Sequence, residues 1–133
     1  EESLKINFEN YLTSLNSNFL LPVNCTKRIT HAPPNVRNRK SEVVIRYSYQ
    51  DIDTIIYELP GSLKVESVPV PVHIQAPFGE YSSNLELKGD VLIFVRNFKI
   101  NESRYPAASY SEFIDFFDRI IVADDIKCVL VKK

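Results

Sequence analysis

The sequence predicts a mainly-β domain, an antiparallel β-sandwich with one C-terminal α-helix followed by a final strand. Three observations predict it. Apolar residues alternate with polar ones at period two in several stretches between Glu42 and Ile100, and proline- and glycine-marked turns separate those stretches. A run with apolar residues at three- and four-residue steps follows, from Tyr110 to Ile121.

With 133 residues the chain has the length of one domain and should bury roughly two-thirds of its unfolded surface. Hydrophobic residues at 44% and charged residues at 25% are ordinary globular proportions, which excludes a disordered or fibrous chain. No repeat, low-complexity tract or change of composition divides it, so residues 1–133 are read as a single domain. The chain opens on Glu1 and contains no methionine, which reads as a processed or excised piece of a longer protein.

Near the start Leu4, Ile6 and Phe8 alternate with polar residues, and Asn18 to Val23 is an apolar stretch containing Pro22. Pro33, Pro34, Asn35 and Asn38 mark Thr30 to Lys40 as a loop. From Glu42 to Tyr49, Val43, Ile45, Tyr47 and Tyr49 form the drier side of a strand, which Asp51-Ile52-Asp53 is expected to break. Thr54 to Leu59 reads as a second strand, ending in a Leu59-Pro60-Gly61-Ser62 turn where proline presets φ and glycine accepts a positive φ.

Leu63 to Val68 resumes extended structure, and the prolines of Val68-Pro69-Val70-Pro71-Val72 hold the chain extended while removing ladder donors. That segment is expected at a sheet edge or crossing between sheets. Tyr81 to Leu87 and Val91 to Ile100 flank Lys88-Gly89-Asp90, a link that suits a hairpin with a bulge. On the second of these strands Val91, Ile93 and Val95 point one way, and Leu92, Phe94, Phe98 and Ile100 the other. A strand apolar on both faces calls for a layer on each, here a second sheet on one side and a helix on the other.

The helix places Tyr110, Phe113, Ile114, Phe117, Ile120 and Ile121 on its core side, with Ser111, Asp115 and Asp118 opposite. It starts either with Pro106 in its first turn or with a capping box of Ser109 and Glu112. Ile126 to Val131 reads as the last strand, before a solvated Lys132-Lys133. Arg96 shares a face with Leu92, Phe94, Phe98 and Ile100, so it requires a carboxylate or backbone carbonyls near the helix as partner.

A formal charge of -1 gives no global field for nucleic acid. The basic stretch of Lys27, Arg28, Arg37, Arg39 and Lys40, and the acidic Glu112, Asp115, Asp118, Asp124 and Asp125, read as solvated surface. No apolar run reaches the roughly 18–20 residues needed for membrane insertion, since Arg96 stops the run from Val91 to Val95. Cys25 and Cys128 lack metal-ligand spacing and form either one long-range disulfide or two buried thiols.

No catalytic, metal or cofactor site is expected. Cys25 and His31 lack a glycine-bracketed nucleophile and read as a core thiol and a loop histidine. His73 reads as structural, Gly61, Gly79 and Gly89 are scattered singly rather than gathered in a phosphate loop, and Asp51 and Asp53 read as turn residues. Asn24-Cys25-Thr26 and Asn101-Glu102-Ser103 match the glycosylation pattern, which matters only in a eukaryotic secretory setting. The candidates for contact with a glycan or peptide are Tyr47 and Tyr49, with Tyr57 on an adjacent strand, and the basic residues Arg37, Arg39 and Lys40.

Several segments, in order, resemble one family. They are Leu20-Leu21-Pro22-Val23-Asn24, Val36-Arg37-Asn38-Arg39-Lys40, Leu59-Pro60-Gly61, Val65-Glu66-Ser67-Val68-Pro69 and Phe78-Gly79-Glu80-Tyr81. Arg96, Tyr105-Pro106-Ala107 with Tyr110, Phe113 and Phe117, and Val129-Leu130-Val131-Lys132-Lys133 complete the set. They resemble the domain of unknown function that follows a transglutaminase-like core in exported Gram-negative bacterial proteins. The resemblance implies a C-terminal β-sandwich module, periplasmic or cell-surface, whose partner is the upstream catalytic core of the same polypeptide. It places the cysteine, histidine and aspartate of the triad in that core, so no catalytic role carries over to a residue here.

Overall fold

The computed structural model describes residues 5, 12–15, 18–25, 28–36 and 38–133; the alternation at Leu4, Ile6 and Phe8 lies outside them. The strands are β1 (Thr13–Leu15), β2 (Asn18–Pro22), β3 (Val43–Ile45), β4 (Tyr49–Glu58), β5 (Leu63–Ser67), β6 (Val72–Ala76), β7 (Gly79–Lys88), β8 (Val91–Ile100), β9 (Ser103–Tyr105) and β10 (Lys127–Lys132). A 3₁₀ turn at Ala107–Ser109 leads into α1 (Tyr110–Asp124), which lies between β9 and β10. The fold is the expected antiparallel, sandwich-like one with a C-terminal helix and a final strand.

A central sheet has the order β4-β8-β7-β6, a terminal sheet the order β1-β2-β10-β5, and β3 pairs with β9 as a two-stranded ribbon. The proline segment from Val68 to Pro71 carries the chain from β5 in the terminal sheet to β6 in the central one, the crossing its composition predicts. The last strand is not at an edge: β10 lies between β2 and β5, antiparallel to both.

One face of the central sheet carries the core, because period-two alternation puts Leu92, Phe94, Arg96, Phe98 and Ile100 of β8 on the same side. At one end Leu85, Leu92 and Phe94 meet Leu21, Val23, Cys128 and Leu130 of the terminal sheet and its flanks. At the other end Ile74, Tyr81, Phe98 and Ile100 meet Phe116, Ile120 and Ala123 of α1. Second sheet and helix therefore lie side by side on one face, and the expected arrangement of one on each side is corrected. The opposite face carries no such layer among the described residues.

Local corrections follow from side-chain partners. Asp51-Ile52-Asp53 does not break a strand: β4 runs through it, and the interruption falls at Arg46-Tyr47-Ser48. Asp53 lies opposite Arg96 in register, so a carboxylate is accommodated on the inner side. The turn before β5 closes between the Pro60 carbonyl and the Leu63 amide, and positive φ is found at Gly89 and Asn38 rather than at Gly61. The β7–β8 hairpin has no bulge: Lys88 faces Val91, leaving the two-residue turn Gly89-Asp90, with Gly89 at φ 62°.

In the helix, the Ser109 side chain makes no capping hydrogen bond, and Pro106 precedes the 3₁₀ turn. Phe116, left out of the expected stripe, is the most deeply buried phenylalanine of α1 and packs against Phe78 and Phe98.

Two glycines separate steric from conformational need. A Cβ on Gly79 would lie 2.0 Å from the Lys99 carbonyl oxygen, whereas one on Gly89 meets nothing within 4 Å. Gly79→Ala is expected to lower unfolding free energy by about 1–3 kcal/mol or more, and Gly89→Ala by about 1–2 kcal/mol through φ strain alone. Urea denaturation of the two variants measures both, and only the Gly89 loss should be relieved by asparagine.

Candidate functional site

The densest convergence of polar side chains sits where the two halves of the core meet. Arg96 is 2% exposed and Asp124, the last residue of α1, is 0% exposed. Arg96 Nε donates to Asp124 Oδ1 at 2.7 Å and Nη2 donates to Oδ2 at 2.8 Å, a bidentate pair. The same carboxylate accepts from the Tyr81 hydroxyl at 2.8 Å, Asn24 Nδ2 at 3.2 Å and the Ile29 amide at 2.9 Å. Asp53 Oδ2 lies 3.8 Å from Arg96 Nη1. The expected partner of Arg96 is thus a carboxylate at the helix end, and the reading of Asp124 as solvated surface is overturned.

The electrostatics explain the geometry. A carboxylate at a helix C-terminus meets the negative end of the dipole, so Asp124 needs a cation and donors from elsewhere. Burial alone would lower the Arg96 pKa, but hydrogen bonds to Asp124 and its charge outweigh that and hold the guanidinium above its ordinary value. Burial, reinforced by the Asp124 charge and hydrogen bond, pushes the Tyr81 phenol up to about 12. The cluster joins β8, β7, the loop after β2 and α1, and presents no open acid or base to solvent.

The residues singled out in the sequence fall in different places. Arg37 lies outside the described residues. Arg39 donates to the Ser41 and Glu42 carbonyls at 3.0 Å each and stacks 4.1 Å from the Tyr110 ring centroid, while Tyr110 donates to the Pro34 carbonyl. These contacts moor the loop to the start of α1. Lys40 is exposed.

Tyr47 is 78% exposed in the link before β4. Tyr49 begins β4 half-exposed, its ring 5.9 Å from Phe98. Burial and then Asp51 raise its phenol pKa, against Arg96. Tyr57 stands at the far end of the same strand and donates to the Val23 carbonyl, so the three tyrosines form no common platform.

Cys25 and Cys128 are both free. The Cys128 thiol lies 3.3 Å from the Ser67 carbonyl, and burial raises its pKa, which disfavours the nucleophilic thiolate. The exposed His31 shares a hydrogen bond with the Thr30 hydroxyl, and His73 Nε2 donates to Glu80 on the sheet surface. Among the described residues no three His, Cys, Asp or Glu side chains converge as metal ligands, and no helix is long and apolar enough to cross a membrane.

Two surface features escaped sequence reasoning. A shallow groove on the β3–β9 ribbon is lined by Val44, Ile45, Arg46, Glu102, Ser103 and Arg104. The outer face of the central sheet shows Ile52, Ile56 and Val95 to solvent, beside Ile93. The signal for the second was present in the Asp-Ile-Asp alternation, had the inward residues been taken as the acids.

A family model described as a domain of unknown function with a solved structure, DUF3858, matches residues 17–130. No curated protein matches the chain. Among solved structures, the chain is similar to the crystal structure of a putative protease from Parabacteroides distasonis, at 15% identity and a TM-score of 0.60. The match covers 74% of this chain and 19% of that one, so it spans a small part of the neighbour.

Removing one member of the buried pair should leave its partner uncompensated. Arg96→Leu or Asp124→Leu is expected to cost about 3–5 kcal/mol, and the double variant less than the sum. Guanidinium titrations of the three variants check this.

Alkaline pH gives a second test. The Tyr81 phenol ionises at 10.0 when unfolded and at about 12 when folded, and the Cys128 thiol is likewise raised above 9.0. A raised folded pKa means that the unfolded state releases its proton first, so stability is full below about pH 9 and falls as pH climbs toward 12. Tyr81→Phe should flatten that fall in thermal melts across the range.

Proposed function

The chain belongs to the DUF3858 family, and on that premise we propose that it is a non-catalytic accessory module of a longer, exported polypeptide, packing on and modulating a transglutaminase-like, cysteine-peptidase-like core. The observation that carries this reading is the enclosure of the polar constellation around Asp124. Asp124 accepts from Arg96, Tyr81, Asn24 and Ile29 with no exposure to solvent, so these groups hold the fold together and face no substrate. Cys25 and His31 have no hydrogen bond to one another among the described residues, and His31 is engaged by Thr30. The same fold forms a small part of a chain described as a putative protease, which is the kind of protein this reading places the domain in.

A second reading rests on the groove of the β3–β9 ribbon. Arg46 and Arg104 line it, and the exposed Tyr47 follows Arg46 in the chain, a combination suited to an acidic glycan or an extended peptide. Saturable binding in a glycan array or thermal-shift panel, lost in Arg46→Ala and Tyr47→Ala, would favour it over the accessory role.

The accessory role is tested in the parent polypeptide with and without this domain. Deletion is expected to lower the melting temperature or solubility of the remainder and to change kcat/KM of the core for peptide substrates. Unchanged stability, solubility and activity would remove the role.

A further inference from the structure

We propose that β4 is a docking edge, along which a second copy of this chain adds its own β4 antiparallel, joining two central sheets into one across a two-fold axis at Thr54. This contact goes beyond the accessory role and does not depend on it.

The edge is open along its length. β4 is the outermost strand of the central sheet, and among the described residues β8 is its only sheet neighbour. The direction of its backbone groups follows from Leu59, whose amide donates to the Asp90 carbonyl at 3.2 Å just past the end of the strand. Such groups point alternately to the two sides of a strand, so Tyr57, Ile55, Asp53, Asp51 and Tyr49 share the direction of Leu59 and bond β8. Gln50, Ile52, Thr54, Ile56 and Glu58 turn their amides and carbonyls the other way, and all five are exposed. A row of groups like this is a template for one more strand.

The other edges of the two larger sheets are short or irregular. β6, at the far side of the central sheet, has five residues and follows Pro69 and Pro71. β1 has three residues, and the ladder of β5 on β10 shifts register between Val129 and Leu130. β4 has ten residues, no proline and an unbroken register with β8. Inward acids are another common guard on edges, but Asp53 lies 3.8 Å from Arg96, which offsets its charge.

The strand is complementary to itself. Open groups pair only with open groups, so an antiparallel copy sets even-numbered positions against even-numbered ones, which keeps the inner faces of both sheets on one side. Two registers leave nearly the whole strand paired. One sets Asp53 against the second copy's Asp53, a like-charge pair that is destabilising. The other sets Thr54 against Thr54, Ile52 against Ile56 and Gln50 against Glu58 on the outer face, with Asp53 against Ile55 and Asp51 against Tyr57 on the inner. Charge selects the second. Ile52 and Ile56, 64% and 61% exposed, then lie side by side across the new ladder. The contact uses the same edge twice, so it closes at two copies.

The test is the mass and the cross-linking of this chain in solution. Light scattering is expected to give twice the 15.3 kDa of one chain, and Thr54→Pro, which removes an amide that β8 does not use, to return it to one. Ile56→Lys places a charge on the edge while keeping every backbone group, and should do the same, which guards against a proline that misfolds the strand.

In a Cys25→Ser background, Thr54→Cys is expected to form an intermolecular disulfide under mild oxidation at least about tenfold faster than Ile52→Cys. Residues paired at the axis lie about 5.5 Å apart at Cα, within disulfide reach, whereas the two copies of position 52 stand four residues apart along the ladder. A chain that is monomeric at every concentration, a dimer that survives both Thr54→Pro and Ile56→Lys, or equal cross-linking at the two positions would overturn the proposal.

Discussion

A buried ion pair, Arg96 with Asp124, organises this domain. Arg96 stands midway along β8, with Leu92 and Phe94 on one side packed beneath the terminal sheet, and Phe98 and Ile100 on the other packed beneath the helix. Two apolar clusters thus share one sheet face with a charge between them. The guanidinium cannot be withdrawn to water, and an unpaired charge there would be worth several kcal/mol of instability. Asp124 supplies the matching charge at the point where α1 ends, and Tyr81, Asn24 and the Ile29 amide complete its coordination. Helix position, sheet register and the path of the loop after β2 are fixed by the same few atoms.

Arg96 also meets the edge strand β4. Asp53 turns inward beside it, on the same side as Ile55 and Tyr57, while Ile52 and Ile56 face outward. One strand face thus carries an acid and apolar residues together, the acid beside the guanidinium and the apolar residues against the terminal sheet. The domain is held together at this point by polar contacts as well as by apolar packing.

Much of this was legible in the sequence, and the exceptions are instructive. Hydrophobic period located β7, β8, α1 and β10, and the prolines between Val68 and Val72 marked the crossing between sheets. The need of Arg96 for a carboxylate followed from its place among phenylalanines. Its identity did not, because Asp124 lies 28 residues away and looks, beside Asp125, like a solvated acid. The break assigned to Asp51-Ile52-Asp53 failed for the same reason: local pattern treats acids as outward, and tertiary pairing had reversed them. β9 is a three-residue strand with no periodicity to detect. Phe116 was missed because three phenylalanines, Phe113, Phe116 and Phe117, leave the centre of a helical stripe ambiguous by one residue.

The placement of β10 governs how the molecule is made. It is the final strand in sequence, yet it lies between β2 and β5, and the carboxylate just before it reaches back 100 residues to Asn24. On a ribosome, which releases roughly 5–20 residues each second from the amino end, the terminal sheet cannot close until β10 has emerged. The hairpins of the central sheet are local and form earlier, holding an incomplete face open to solvent. Folding of this domain thus waits on one long-range closure, and β10 works as the keystone of the sheet that β1 and β2 begin.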